Sequence, residues 1–262
     1  MKKKKIILIL LFILIIIGSI IYFSSHRLNE KDKMVETLYE YIGSNDLDVC
    51  KGLNNYDSKA SNSKDLSISS KACIAYMQTS NKEKETITLE KNGKNNFCKI
   101  SDEIAFAPDN YDNDNCTVTK LKKKTLNQTI KKIYGDSDLK LTEFAVDNTQ
   151  ICYINGDDIY CGWNQNYTYE LKAEPHTYRA IQKVIKKKEK IIIYDYFLKI
   201  TENKCYKYFT QDIENEKCTA AYTKIKKNKL NYSFLKRYGT KYKHTFKKQN
   251  NNYVYIKSEP VK

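Results

Sequence analysis

The sequence predicts an α+β protein in which an N-terminal transmembrane helix precedes two related antiparallel β-sheet modules, each with one helix. Three observations predict it. An uncharged apolar run, Ile6–Phe23, follows the lysine block Lys2–Lys5. Eight cysteines, an even number, all lie beyond that run. Two segments downstream, 112–154 and 214–256, repeat the same order of cysteine, apolar and glycine positions.

Eighteen residues in a helix extend about 27 Å, close to a hydrocarbon core of about 30 Å. The run is longer than a typical signal-peptide core. No candidate cleavage site carries two small residues, since Ser19, Ser24 and Ser25 are preceded at −3 by Ile17, Tyr22 and Phe23. The run has no polar face, which excludes a half-buried soluble helix. Lysines remain on the cytoplasmic side. The expectation is therefore a cytoplasmic tail (1–5), an uncleaved signal anchor (6–23), a polar stalk (24–33) and an extracytoplasmic remainder. That remainder divides into a helical, loop-rich segment (34–85), a β-rich module A (86–175) and a β-rich module B (176–262).

Outside the cytoplasm an even cysteine count reads as a disulfide framework. Cys50, Cys73, Cys98, Cys116, Cys152, Cys161, Cys205 and Cys218 include no Cys-x-x-Cys pair and no histidine at zinc-finger spacing, so no metal site is expected. The segment from Ile151 to Cys161 is nearly symmetric about Gly156-Asp157. A two-residue turn there needs positive φ at Gly156 and sets Asn155 opposite Asp158, Ile154 opposite Ile159, Tyr153 opposite Tyr160 and Cys152 opposite Cys161. The cysteines then fall at a non-hydrogen-bonded pair about 4.5 Å apart at Cα, within bridging range.

The repeat matches Cys116 with Cys218, Leu126 with Leu230, Tyr134 with Tyr238, Gly135 with Gly239, Phe144 with Phe246, Tyr153 with Tyr255 and Ile154 with Ile256. Leu126, Ile130 and Ile133 fall at helical spacing, as do Leu230, Phe234 and Tyr238. Thr125 and Asn228 suit the helix starts, and Gly135 and Gly239 suit the stops. Each helix is followed by two strand-like segments and preceded by a cysteine expected on a strand. Equivalence then pairs Cys98 with Cys116 and Cys205 with Cys218, leaving Cys50–Cys73 by elimination.

Met34–Ile42 predicts a helix with Val35, Leu38, Tyr39 and Ile42 on one face, stopped by Gly43. Asn54–Lys64 is a polar loop. Tyr178–Ile185 and Lys190–Ile200, rich in β-branched and aromatic residues around a charged turn, predict paired strands. By shape, a curved sheet of cystatin or NTF2 type fits this order of elements.

The lysine-headed anchor, the LYEYI helix, the helix-plus-glycine segments KKIYG and KRYG, and the ending KYKHTFKKQNNNYVYIKSEP carry a resemblance. The chain resembles uncharacterised, N-terminally membrane-anchored extracytoplasmic proteins of low-GC Gram-positive gut bacteria. The resemblance implies a location and carries no activity, cofactor or site residue.

No HExxH, GxSxG or glycine-rich phosphate loop occurs. Of the three histidines, His26 lies in the stalk, His176 beside Pro175 and His244 in a strand, where an exposed position is expected because the repeat aligns it with Thr142. Asn110–Asp114 resembles the start of a calcium loop without its central glycine or closing glutamate. Trp163 serves equally as core or ligand contact. No catalytic, cofactor or metal residue is assigned.

Beyond the run lie all 31 acidic and 42 of the 46 basic residues, a formal charge of +11. Such a surface attracts anionic polymers or lipid head groups. Nucleic acid is not expected outside the cell. The partners expected are the membrane itself and an anionic envelope polymer or another membrane protein. Two functions follow: a non-enzymatic binding or accessory module, or an envelope enzyme with a site assembled from scattered residues. A shallow tyrosine-lined basic face favours the first, and His176, His244 and acids in one deep pocket favour the second.

Overall fold

Turn chemistry and strand alternation set the architecture. In the computed structural model the described residues are 27–43, 50, 56–92, 97–108, 115–136, 139–147, 149–165, 176–209, 211–225 and 230–261. The first part supplies β1 (Arg27–Leu28), α1 (Lys33–Glu40), β2 (Ser61–Asn62) and α2 (Ile68–Gln78). The middle supplies β3 (Glu85–Glu90), β4 (Cys98–Lys99), β5 (Ala105–Phe106), β6 (Asn115–Lys122), α3 (Lys123–Tyr134), β7 (Phe144–Ala145), β8 (Gln150–Asn155) and β9 (Asp158–Trp163). The last part supplies β10 (His176–Lys187), β11 (Lys190–Thr201), β12 (Lys204–Tyr206), α4 (Glu216–Tyr222), α5 (Tyr232–Tyr238), β13 (Thr240–Gln249) and β14 (Asn252–Pro260).

These strands form antiparallel sheets, as an α+β chain requires. The larger has seven strands in the order β1-β10-β11-β13-β14-β2, with β12 paired to β11, and the second has five in the order β3-β6-β9-β8-β7. The short pair β4–β5 forms the third. Among the described residues no helix is long and apolar enough to cross a membrane. The Ile6–Phe23 run lies outside the described residues, as do His26, Asn228 and Asn110–Asp114.

The β8–β9 hairpin has the register read from its symmetry: Asn155 faces Asp158, Ile154 faces Ile159, Tyr153 faces Tyr160 and Cys152 faces Cys161. Gly156 adopts φ 60°, the left-handed value that the turn requires. Helix α3 buries Leu126, Ile130 and Ile133 on one stripe. It stops at Gly135 (φ 75°), whose N–H bonds Lys131 O at 2.9 Å. Lys131 and Lys132 sit in its last turn, where the helix dipole is negative.

The structure joins Cys50–Cys73, Cys98–Cys116, Cys152–Cys161 and Cys205–Cys218. Their Cα separations run from 4.0 Å in the hairpin to 6.0 Å between Cys98 and Cys116. The expected repeat is corrected. Cys116 is on strand β6, whereas Cys218 is on helix α4, so 214–256 runs helix–helix–strand–strand and carries two helices. The Asn215 side chain accepts from the Cys218 N–H and caps a turn containing Ala220 and Ala221, which favours helix over strand. The helix starts also move: α3 begins at Lys123, and α5 begins after Asn231, whose side chain accepts from Phe234 N.

The segments expected to be a stalk and a loop both reach the large sheet. Leu28 pairs with Val184 and packs on the main core. Ser61 and Asn62 pair with Ser258 and Lys257. Each satisfies backbone groups that an edge strand would otherwise leave open. The main core joins α1, α2 and α3 with both large sheets, including Val35 of α1, Ile74 of α2, Ile133 of α3, Ile159 of β9, Ile193 of β11 and Phe246 of β13. The other face of β11 is covered at its C-terminal half, where Leu198 and Ile200 pack with Tyr222 of α4 and Leu235 of α5. Burial on both faces explains the nearly continuous apolar run of β11.

Gly162 in β9 has no room for a side chain, because a Cβ there would lie 2.8 Å from a Phe106 ring carbon. Gly162→Ala should cost about 1–3 kcal/mol by overpacking, read as a lower urea midpoint with unchanged slope. Peptide mapping without reduction should recover the four cysteine pairs above. A peptide joining Cys116 to Cys218 would contradict them.

Candidate functional site

The apolar strand β11 carries one acid, Asp195, on the face shared by Ile191, Ile193 and Phe197. Its register places Tyr242 of β13 directly opposite. His244, two residues on, faces Ser258 of β14. All three polar residues, Asp195, His244 and Ser258, have zero exposure. Asp195 Oδ1 lies 2.9 Å from His244 Nε2, and His244 Nδ1 lies 2.5 Å from Ser258 Oγ. Tyr255 OH donates to Ser258 Oγ at 2.8 Å.

The second carboxylate oxygen is held by the rest of the chain. Tyr39 of α1 and Tyr56 each donate their hydroxyl to Asp195 Oδ2 at 2.8 Å. Arg179 of β10 donates to Tyr56 OH at 3.0 Å and lies over the Tyr39 ring at 4.4 Å. Tyr56 stacks on Phe197 with centroids 4.4 Å apart. One proton arrangement satisfies every donor and acceptor. His244 is protonated on Nε2 and donates to Asp195, Ser258 donates to Nδ1, and Tyr255 donates to Ser258.

Burial by itself would raise the Asp195 carboxyl pKa. His244, Arg179 and the Tyr39 hydroxyl outweigh burial and hold it below the usual carboxylate range. Burial, reinforced by Asp195, holds the Tyr39 hydroxyl well above its ordinary value. The Tyr56 hydroxyl is raised likewise, because burial outweighs the opposing Arg179 and Asp195 adds to the rise. The tyrosines therefore remain donors and the aspartate remains an anion.

The order Asp–His–Ser has the donor sequence of a hydrolytic triad. Its chemistry does not follow, because the serine hydroxyl is sealed from solvent and is already occupied by His244 and Tyr255. What this arrangement can do is hold one charge in the core and tie five segments of the chain to it.

The sequence candidates are distributed otherwise. His244 is buried, which corrects the exposed position expected for it. The signal was present in the alternation of Lys241, Tyr242, Lys243, His244, Thr245 and Phe246, which puts His244 with two aromatics on the inner face. Asp195, absent from the sequence candidates, carries the same signal, since it shares parity with Ile191, Ile193 and Phe197. His176 is exposed and pairs with Ile200, whereas His244 pairs with Ile193. Seven residues of strand, about 23 Å, separate them. Trp163 is half-buried at the end of β9, opposite Gln150. Among the described residues no group of three or more His, Cys, Asp or Glu is placed to hold a metal.

On the opposite face of the large sheet, beyond the residues packed by α4 and α5, Lys183, Tyr194 and Lys241 form a half-buried cluster. There the Tyr194 ring lies between Lys183 Nζ at 4.8 Å and Lys241 Nζ at 5.3 Å. Beside them Glu259 accepts from Lys243 at 2.8 Å and from Lys257 at 2.7 Å. Among the described residues this cluster sets four lysines and one glutamate around an aromatic ring. No family model matches the chain, and no curated protein or solved structure matches it either.

Asp195→Asn should destabilise the fold by about 1–3 kcal/mol, because its hydrogen bonds lose their charged acceptor and the half-buried Arg179 loses a nearby anion. Tyr39→Phe should cost about 1–2 kcal/mol, since Tyr56 still serves the same oxygen. Because the folded Asp195 pKa is depressed, its stabilisation is complete above the unfolded value of about 3.9 and is lost as pH falls through the folded value. Urea midpoints followed from pH 6 downward should therefore fall below about pH 4 in the parent, and Asp195→Asn should lack this component.

Proposed function

We propose that the chain is a non-enzymatic binding domain held outside the cytoplasmic membrane by Ile6–Phe23 as a single-pass anchor, with Lys2–Lys5 inside. The observation that carries the binding reading is the half-buried basic cluster around the Tyr194 ring, set against an Asp–His–Ser group closed to solvent. Two lysines on one tyrosine ring, with Lys243 and Lys257 beside them, match an anionic envelope polymer that presents charge and sugar or alkyl surface together. The four disulfides support the extracytoplasmic location, because such bonds persist in oxidising compartments. Three of these clasps close loops within the sheets or between a strand and its neighbouring helix, and each contributes about 3 kcal/mol in the chain-entropy model.

In intact cells an impermeant amine reagent should modify lysines beyond Ser24 and leave Lys2–Lys5 untouched. The reverse pattern would invert the topology. Tyr194→Ala should weaken retention of the purified chain on the anionic polymer fraction of the envelope by about fivefold, with the urea midpoint unchanged. A serine-directed phosphonate should leave the native protein unlabelled, and modification of Ser258 in the folded state would restore the enzyme reading.

A further inference from the structure

The large sheet has two unlike ends. The β10–β11 and β13–β14 hairpins turn at the same one, since Lys187 pairs with Lys190, Lys190 with Lys247, and Gln249 with Asn252. Lys248 N donates to Glu189 O at 2.7 Å and ties the two tips together. Lys186, Lys187, Lys188, Lys190, Lys247 and Lys248 are all exposed at this end, with Glu189 the acid among them. Among the described residues no ion pair joins any of the six to a carboxylate. Lys187, Lys190 and Lys247 stand abreast on adjacent strands, an arrangement that repels across the sheet unless an outside anion screens it.

The register of β1 says which way this end faces. Arg27 pairs with Ile185 and Leu28 with Val184, so going back along the chain from Leu28 moves toward Lys187. The chain therefore enters the sheet from the lysine end. Four peptide steps separate Phe23 from Arg27, a reach of at most about 14 Å. The level of Lys187 is two residues from Arg27, about 7 Å.

We infer that this basic end rests on anionic phospholipid head groups of the membrane that the protein's own N-terminal segment crosses. The inference rests on the anchored reading above and deepens it by naming a second contact and an orientation. An anchor ending at Phe23 keeps the tips within roughly a Debye length, about 8–10 Å, of the surface, where lysines are attracted to acidic lipid. The other end of β11, Thr201, eleven residues from Lys190, stands about 36 Å further out. The Tyr194 cluster is then held upright beside the membrane. A soluble polyanion would meet the same lysines, but the tether brings lipid phosphate to them at fixed short range.

The test uses the full chain in lipid nanodiscs of phosphatidylcholine alone, and in discs with about one third phosphatidylglycerol. Amine acylation of each lysine is followed by peptide mass spectrometry. The tip lysines should react about fivefold more slowly in the anionic discs, and the difference should vanish near 1 M salt. Lys204, at the far end, should react equally in both. Lys187→Gln/Lys190→Gln/Lys247→Gln should reduce the protection at Lys186 and Lys188. Equal rates in both discs, with the protein co-eluting with lipid, would overturn this inference and leave the anchor standing. A chain that does not co-elute with lipid ends both readings. Protection by added polyphosphate in phosphatidylcholine discs, without protection by phosphatidylglycerol, would assign the site to a soluble polyanion and overturn the membrane contact.

Discussion

Asp195 places a full negative charge at zero exposure in the centre of the large sheet, and a lone carboxylate there would be prohibitively costly. The fold answers it with donors from every direction. Tyr39 comes from α1, Tyr56 from the segment after Cys50, Arg179 from β10 and His244 from β13, with Ser258 and Tyr255 completing the set from β14. Because each donor has one geometry that works, the network fixes the register of β10, β11, β13 and β14 together and docks α1 on them. An apolar core alone would tolerate slippage or repacking more readily.

The disulfides act on a different term. Cys152–Cys161 reinforces a hairpin whose turn already sets its register, while Cys98–Cys116 ties the small β4–β5 pair to β6. Cys205–Cys218 holds α4 against β12, covering the outer face of β11. Cys50–Cys73 ties the segment ahead of Tyr56 to α2. Cys50–Cys73 and Cys152–Cys161 thus lie within the main core, Cys98–Cys116 and Cys205–Cys218 secure the two smaller apolar clusters, and the polar network secures the centre of the large sheet. On the opposite face of the large sheet, Tyr194 and its lysines form a separate, half-buried cluster.

How much was legible follows from how local the cause is. The β8–β9 hairpin could be read to the residue because its turn and register are decided within eleven residues. Helix α3 was legible because its apolar stripe and terminal glycine are local too. Helix α4 was not, since a cysteine before a helix carries no mark of strand or helix until Asn215 supplies the cap. The pairing of β1 and β2 to the sheet edges was invisible for a related reason: two-residue strands have no periodicity, and only the open edge of a neighbour calls them in.

The sequence by itself determined the Cys152–Cys161 clasp, the α+β class, the hairpins and the charge, because these follow from residue counts, turn residues and alternation over short spans. It also presented Asp195 and His244 at inward positions, visible as parity. Only the tertiary structure decided that they meet, since the carboxylate and the imidazole are separated by 49 residues and come together through the pairing of β11 with β13. It likewise decided that the histidine is sealed in the core and the lysine-bearing tips converge at one end. Local chemistry selects elements, whereas the burial of a charge depends on every segment that closes over it.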